Sequence, residues 1–167
     1  LTLGTPDPAY PERSVEQGAI PIVNYNDPVS DEENRKMELA ARREQGGEVH
    51  ECVDNDETAA VIANLVHAKM LVLMTSTEGI YQVPGQPETL VREVTGRNYE
   101  EVERKVRELQ EGCIGASRAG ANGARAKLEY ALGCVKNGTT VVIGHARHRL
   151  SELKDGKVPC TRIGVNL

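Results

Sequence analysis

The sequence predicts an α/β domain in which helices cover a mainly parallel sheet. Short apolar runs alternate along the chain with stretches whose apolar residues recur at helical spacing, and this alternation is typical of parallel sheets with helices on their faces. The 167 residues include no Phe and no Trp, so the core must be aliphatic, as it is around the buried strands of parallel sheets. Hydrophobic residues make up 39% of the chain, enough for one domain with a real core.

Strands are predicted where aliphatic residues follow one another closely. The run KMLVLMT at residues 69–75 is the strongest of these runs. We expect residues 19–24, 70–75 and 139–144 to lie in one sheet. Two further strands are expected at residues 49–53 and 160–165.

Helices are predicted where apolar residues recur every three or four positions. The clearest pattern is at residues 99–111, where Val102, Val106 and Leu109 share one face. Further helices are expected at residues 30–43, 54–66 and 124–136. Residues 1–14, which contain three prolines, and the charged segment 145–156 are expected to be irregular. Residues 82–95 are expected to form loop or short extended pieces.

Charge and hydropathy exclude several classes of function. The 20 Lys and Arg residues against 25 Asp and Glu give a net charge of −5, which argues against nucleic acid or an anionic membrane as the main partner. No apolar run reaches the roughly 18 residues of a membrane span, and no signal peptide is expected. The four cysteines are widely spaced, so we expect reduced thiols and a cytoplasmic protein.

Polar clusters follow three of the predicted strands, where parallel sheets bind their ligands. They lie at residues 24–27, 75–78 and 144–147. Amide and carboxylate side chains of the kind found at residues 24–27 and 54–56 can hold the ammonium and carboxylate groups of an amino acid. The alternative for Asp54 and Asn55 is that they cap the helix that follows them.

A glycine-rich stretch at residues 112–123 leads into a predicted helix that carries Lys127. Exposed backbone N–H groups and a helix N-terminus favour an anion such as a phosphate. The spacing is not that of a Walker A motif, so the alternative is a surface loop without a ligand. His145 and His148 have a spacing that permits a metal pair, but their basic surroundings favour solvated side chains, and we predict no metal site.

Four motifs, taken in order, resemble segments of the glutamate 5-kinases of the amino acid kinase superfamily. IPIVNYND at residues 20–27 resembles I-P-I-x-N-E-N-D, and VDNDETAA at residues 53–60 resembles G-D-N-D-x-L-S-A. LVLMTSTEGIY at residues 71–81 resembles L-L-L-T-D-x-x-G-L-Y, and GANGARAK at residues 120–127 resembles G-T-G-G-M-x-T-K. Together with their spacing, the motifs cover most of residues 18–165.

The resemblance implies a three-layer αβα sandwich that uses ATP and Mg²⁺ to phosphorylate the side-chain carboxylate of glutamate or a similar small acid. It implies that the substrate is held by Asn26, Asn55 and Asp56. It implies that the nucleotide is contacted by Thr75, Ser76, Gly120, Gly123 and Lys127. Lys127 would be catalytic, because phosphoryl transfer needs a fixed cation beside the transferred group.

The sequence also departs from the family's motifs. Tyr25 stands where the family has Glu, and Ser76 stands where it has Asp. The family's first strand and its Lys-x-Gly-Ser-Ser loop have no counterpart here. We therefore expect residues 1–167 to be a single kinase-like domain that is incomplete at its N-terminus, with catalysis depending on that loop in the full-length protein.

Two alternatives to a glutamate kinase stay open at this point. One is a non-catalytic relative that binds a ligand or regulates, which Ser76 favours. The other is a superfamily kinase for a different substrate, such as a nucleoside monophosphate. Whether the chain is a glutamate kinase or a kinase for a different substrate, we expect a small-molecule substrate and ATP as its partners. We also expect it to form a homo-oligomer.

Overall fold

A computed structural model describes residues 9–22, 55–83, 85–112 and 123–167 of the chain. Residue contacts divide the chain into two compact units, Leu1–Thr58 and Ala59–Leu167. Helix α1 (Ala9–Glu16) lies in the first unit, and helix α2 (Asn55–Leu65) crosses the boundary. The second unit continues with β1 (Met70–Thr75), a short 3-10 helix (Pro87–Thr89), β2 (Glu93–Gly96), α3 (Tyr99–Gly112), α4 (Gly123–Lys136), β3 (Thr140–His145), α5 (Leu150–Lys154) and β4 (Cys160–Val165).

The four strands that the structure describes in the second unit form one sheet in the order β1-β3-β4-β2. β1 pairs with β3 in parallel, and β2 pairs with β4 in parallel. Among the described strands, only the central pair, β3 with β4, is antiparallel. The prediction of a mainly parallel sheet is confirmed, and so is the prediction that residues 70–75 and 139–144 lie in that sheet.

Helices cover both faces of this sheet, which gives the three layers of an αβα sandwich. On one face, Leu73, Ile143 and Ile163 pack with buried side chains of α3 and α4. On the other face, Val142 and Cys160 pack with Leu153 of α5. Burial of each large aliphatic side chain stabilises the fold by about 1.5–3 kcal/mol, and these side chains build the core of a chain without Phe or Trp.

The helix that leads into β3 ends at a glycine in the left-handed conformation. Gly138 has φ +85°, and its N–H donates to the carbonyl of Val135 at 3.0 Å. The next N–H, of Thr139, donates to the carbonyl of Cys134 at 3.1 Å. This pair of bonds is a Schellman motif, which satisfies the last helical carbonyls and turns the chain sharply into the strand.

The helix that leads into β1 ends in the same way, but with a histidine in place of glycine. His67 has φ +48°, and its N–H donates to the carbonyl of Asn64 at 3.3 Å. The N–H of Ala68 donates to the carbonyl of Ala63 at 2.8 Å. α2 and α4 therefore enter the parallel strands β1 and β3 through equivalent turns.

A side-chain cap fixes the start of α3. Asn98 Oδ1 accepts the N–H of Glu101 at 3.0 Å, and the carboxylate of Glu101 accepts the N–H of Arg97 at 3.0 Å. One first-turn donor and one donor just before the helix are thereby satisfied. The helix predicted at residues 99–111 is confirmed, one residue longer.

The predicted buried strand at residues 19–24 is wrong over its described part. Residues 19–22 are not in a strand, and the side chains of Ile20 and Ile22 are 88% and 92% exposed. Pro21 between them has no N–H to give to a strand ladder. Val23 and Asn24 lie outside the described residues, as do the predicted elements at 30–43 and 49–53.

Two segments expected to be irregular contain helices. α1 occupies residues 9–16, because a proline such as Pro11 is tolerated in the first turn, where the N–H has no helical acceptor. α5 lies inside the segment 145–156, where the carboxylate of Glu152 accepts the N–H of Arg149 at 3.0 Å and Leu153 is buried.

No helix among the described residues is long and apolar enough to cross a membrane.

The left-handed conformation of His67 predicts a gain in stability on substitution by glycine. His67→Gly removes the steric cost of a side chain at positive φ, partly offset by the greater freedom of glycine in the unfolded chain. We expect the free energy of unfolding to rise by roughly 0.5 kcal/mol, measured by urea denaturation. His67→Val, which adds a β-branched side chain, should lower it by about 1 kcal/mol. A glycine variant less stable than the valine variant would contradict this account of the turn.

Candidate functional site at the carboxyl ends of β1 and β3

The parallel pairing of β1 and β3 brings two loops to one edge of the sheet. Thr75, the last residue of β1, lies opposite His145, the last residue of β3. Beyond the strands, the N–H of Ala146 donates to the carbonyl of Thr75 at 2.8 Å. The predicted polar clusters at residues 75–78 and 144–147 are therefore neighbours, at the edge where parallel sheets bind ligands.

A compact turn holds the chain directly after β1. The hydroxyl of Thr75 accepts the N–H of Thr77 at 2.9 Å and donates to the carbonyl of Thr77 at 2.8 Å. The hydroxyl of Thr77 donates in turn to the carbonyl of Gly79 at 3.2 Å. Ser76, at the apex of this turn, is exposed. Its backbone is thus placed by its neighbours, while its own side chain faces solvent.

One buried hydroxyl anchors this turn to the sheet. The Oγ1 atom of Thr161 on β4 accepts the N–H of Ile80 at 2.8 Å and donates to the carbonyl of Val91 at 2.7 Å. Gly79 comes so close to Thr161 that an added Cβ would lie 2.9 Å from the Thr161 backbone nitrogen. Glycine is therefore required at position 79, both by this close approach and by its φ of +158°.

An acidic side chain joins the two loops. One carboxylate oxygen of Glu78 contacts Nε2 of His148 at 2.7 Å, and the other forms an ion pair with the guanidinium of Arg147. The side chains of Glu78 and His148 are each only 16% exposed. The expectation that His148 is solvated is wrong, because the carboxylate of Glu78 occupies the space beside its ring.

A backbone contact selects the tautomer of the neutral His145 ring. Its Nδ1 atom accepts the N–H of Arg147 at 3.0 Å, so in the neutral ring the proton resides on Nε2. The rings of His145 and His148 meet edge to face with centroids 6.3 Å apart. Among the described residues, no group of three or more His, Cys, Asp or Glu side chains is arranged to hold a metal ion.

Helix α4 carries two predicted nucleotide contacts and begins at the same edge of the sheet. It packs on β3 and β4 and turns directly into the start of β3, so it runs antiparallel to β3 and its N-terminus lies where β3 ends. Gly123 is its first residue and has φ +40°. Lys127 lies in the second turn and is half-buried.

The antiparallel neighbour α3 holds α4 in place. Arg107 of α3 forms a two-pronged ion pair with Glu129 of α4, one arm of which measures 3.1 Å. The buried amide of Gln110 donates to the carbonyl of Arg125 at 3.0 Å. The Arg107 guanidinium holds the pKa of the Glu129 carboxyl below its ordinary value. The contribution of the Arg107–Glu129 ion pair to stability is therefore present at neutral pH and is lost as the pH falls through that lowered pKa.

The predicted site residues divide among three places. Thr75, Ser76, Gly123 and Lys127 all belong to the second unit and to its β1–β3 edge. Asn55 and Asp56 lie in the first turn of α2, on the part of that helix that belongs to the first unit, with Asn55 exposed and Asp56 half-buried. Asn26 and Gly120 lie outside the described residues.

Sequence reasoning missed two features of the site, the Glu78 bridge and the Thr161 anchor. Each contact joins residues about 70 or more positions apart in the chain, so no local pattern reveals it.

A surface groove of about 380 Å³ between β2 and α3 is lined by Glu93, Lys105 and Glu108, among others, and touches none of the predicted nucleotide contacts.

The buried thiols have no nucleophilic role in this arrangement. Cys134 and Cys160 are free and buried, and burial raises the pKa of both. Nucleophilic cysteines need the opposite, a stabilised thiolate in an accessible place.

Comparison with known proteins gives the family to which this arrangement belongs. The family model described as "Amino acid kinase family" matches residues 8–145. A glutamate 5-kinase of Geobacillus kaustophilus (strain HTA426) is 32% identical over 154 residues, which are 90% of this chain and 36% of that relative. A glutamate 5-kinase of Frankia casuarinae is 30% identical over 149 residues, which are 88% of this chain and 34% of the relative. The chain thus spans about a third of the length of these curated relatives.

Among solved structures, the crystal structure of a UMP kinase from Ureaplasma parvum is similar to this chain. The match covers 89% of this chain and 55% of the UMP kinase chain. The TM-score is 0.41, and the sequences are 11% identical.

The Thr161 anchor predicts a large loss of stability when its hydroxyl is removed. Thr161→Val keeps the shape of the side chain but leaves the N–H of Ile80 and the carbonyl of Val91 without a partner, at a cost of about 2 kcal/mol. Thermal and urea unfolding measure this loss. Thr161→Ser retains both hydrogen bonds and should cost only about 1 kcal/mol, for the lost methyl group. Equal stability of the two variants would contradict the role of the hydroxyl.

Proposed function

The chain belongs to the amino acid kinase family, and from that membership we propose that it carries the nucleotide-binding part of a kinase that phosphorylates the side-chain carboxylate of glutamate. The observation that carries the proposal is a shared edge: the Thr75–Ser76 turn and the N-terminus of α4 both lie where β1 and β3 end. The 30–32% identity to glutamate 5-kinases supports glutamate as the acceptor.

The start of α4 suits the phosphate groups of ATP. Its first backbone N–H groups have no helical acceptor, and the helix dipole places positive potential there. Lys127, one turn further on, adds a full positive charge. Phosphoryl transfer depends mainly on positioning and on stabilising negative charge, and a lysine near a helix N-terminus supplies both. Mg²⁺ would enter with the nucleotide, held mostly by its phosphates.

The acceptor amino acid requires groups of both polarities. Asn55 offers an amide and Asp56 a carboxylate on the same helical turn, and Asn26 offers a second amide. An amide can donate to the α-carboxylate of glutamate, and a carboxylate can accept from its ammonium group. These three residues therefore form the proposed substrate contacts.

A second candidate function is a non-catalytic ligand-binding relative. Ser76 favours it, because a hydroxyl stands where the motif that the sequence resembles has Asp. Such a protein would keep ATP or amino acid binding without turnover.

The intact protein, assayed with Mg²⁺-ATP and glutamate for ADP release, separates these functions. Turnover that depends on glutamate supports the kinase. If ATP binds but glutamate does not react, a series of small acids and nucleoside monophosphates is tested next. Turnover with one of them supports a kinase with a different acceptor, and turnover with none supports the non-catalytic relative.

Loss of the Lys127 charge should reduce turnover far more than substrate binding. In the intact protein, Lys127→Ala should lower kcat by about 10²-fold or more, close to 2.7 kcal/mol, and change the KM for glutamate little, because the contact strengthens in the transition state. Lys136→Ala, at the exposed far end of the same helix, is the matched control and should keep full activity. Full activity of Lys127→Ala would remove this helix from the phosphate site.

Asp56 should bind ligand rather than only stabilise its helix. Asp56→Ala should abolish the calorimetric signal for glutamate with little change in melting temperature. Glu57→Ala removes an acidic residue from the same first turn and should leave glutamate binding intact. If Asp56 acts only on the helix end, both variants should lose about 0.3–1 kcal/mol of stability and both should still bind glutamate.

A further inference from the structure

Glu78 stands between two points that are already fixed. On its N-terminal side, the Thr75 hydroxyl closes the turn through Thr77. On its C-terminal side, the N–H of Ile80 is held by the Thr161 hydroxyl. The backbone on both sides of Glu78 is thus held by hydrogen bonds that do not involve the Glu78 side chain. The carboxylate can therefore contact the loop after β3 at little additional cost in conformational entropy.

Both oxygens of this carboxylate are used. One contacts Nε2 of His148 at 2.7 Å, and the other pairs with Arg147. A carboxylate only 16% exposed would be costly without such partners, and charge-assisted contacts of this kind are the stronger class of hydrogen bond. Together with the bond from Ala146 to Thr75, they join the two loops beyond the last paired residues of the sheet.

The partners of Glu78 differ in exposure. The side chain of His148 is 16% exposed, whereas that of Arg147 is 62% exposed. His148 is therefore the more buried partner of the Glu78 carboxylate. Arg147 keeps most of its surface open at the sheet edge, and its guanidinium has five N–H donors, of which Glu78 engages only part. Glu78 thus orients a cation at the edge where the phosphates are proposed to bind.

We propose that Glu78 is a positioning residue for the nucleotide: through His148 and Arg147 it holds the loop after β3 against the Thr75–Ser76 turn and orients the Arg147 guanidinium toward the phosphates. This inference rests on the proposed function, since it assigns Glu78 to the same nucleotide site. Glu78 acts through its neighbours and is not a catalytic residue. A purely structural link would change the stability of the protein without selecting one substrate.

The test compares Glu78→Gln with the unaltered intact protein in steady-state kinetics and in ATP binding. Glu78→Gln keeps the size of the side chain but removes its charge. The KM and Kd for ATP should rise about tenfold, the effect of losing one charge-assisted hydrogen bond, while the KM for glutamate should change less than twofold. Glu88→Gln, the same substitution at an exposed position of the same connection between β1 and β2, should change none of these quantities.

Two further variants keep the proposal testable if Glu78→Gln folds poorly. Arg147→Gln alters an exposed side chain and should raise the KM for ATP while changing the KM for glutamate less than twofold. His148→Gln combined with Glu78→Gln should be no worse for ATP than Glu78→Gln alone, because the two residues act as one unit.

Each outcome has a distinct consequence. If the unaltered protein binds no ATP, the proposed function fails, and this inference fails with it. If the unaltered protein binds ATP but Glu78→Gln and Arg147→Gln bind it equally well, the inference alone is overturned. A fall in melting temperature with equal effects on ATP and glutamate would assign Glu78 a structural role only.

Discussion

β1 and β3 run side by side in the same direction, with Thr75 opposite His145. Parallel strands cannot be joined by a tight turn, so the chain must cross from the end of one strand to the start of the next through intervening elements. Here the connection contains β2, α3 and α4, and it returns α4 antiparallel to β3. The consequence is chemical as well as topological: the end of β1, the end of β3 and the start of α4 meet at one edge. Every group of the second unit that we assign to the nucleotide depends on this pairing.

The pairing places the loops only coarsely, and polar contacts refine them. Beyond Thr75 and His145 there is no ladder to continue, so the loop backbones need other partners for their buried N–H and carbonyl groups. Thr161 supplies a donor and an acceptor from a single buried hydroxyl, and Gly79 permits the close approach that this requires. A side chain at position 79 would separate the loop from β4. The small residues of this segment thus matter because they let polar backbone reach a fixed partner.

The extent to which sequence predicts this fold follows from the range of the interactions involved. β1, β3, α3 and α4 are long or strongly patterned, and the apolar residues that make the pattern are the ones that pack in the core. These elements are therefore predicted to within one or two residues. β2 has four residues with one buried side chain, too few to show a period. The segment 19–22 has the composition of a strand but no partner strand in the described structure. Glu78 and His148 make a contact across 70 residues, and only the fold brings them together.

The charge balance of the site edge differs from that of the chain. The chain carries a net charge of −5, which opposes the approach of a polyanion such as ATP. At the β1–β3 edge, however, the negative charge of Glu78 is matched by the positive charge of Arg147. Ser76 stands where the resembled motif has Asp, so the turn after β1 contributes no further negative charge. A field screened beyond about 10 Å is set mainly by these near groups. Pairing of the Glu78 carboxylate therefore lessens the local repulsion of an anion at this edge, even though the chain as a whole is acidic.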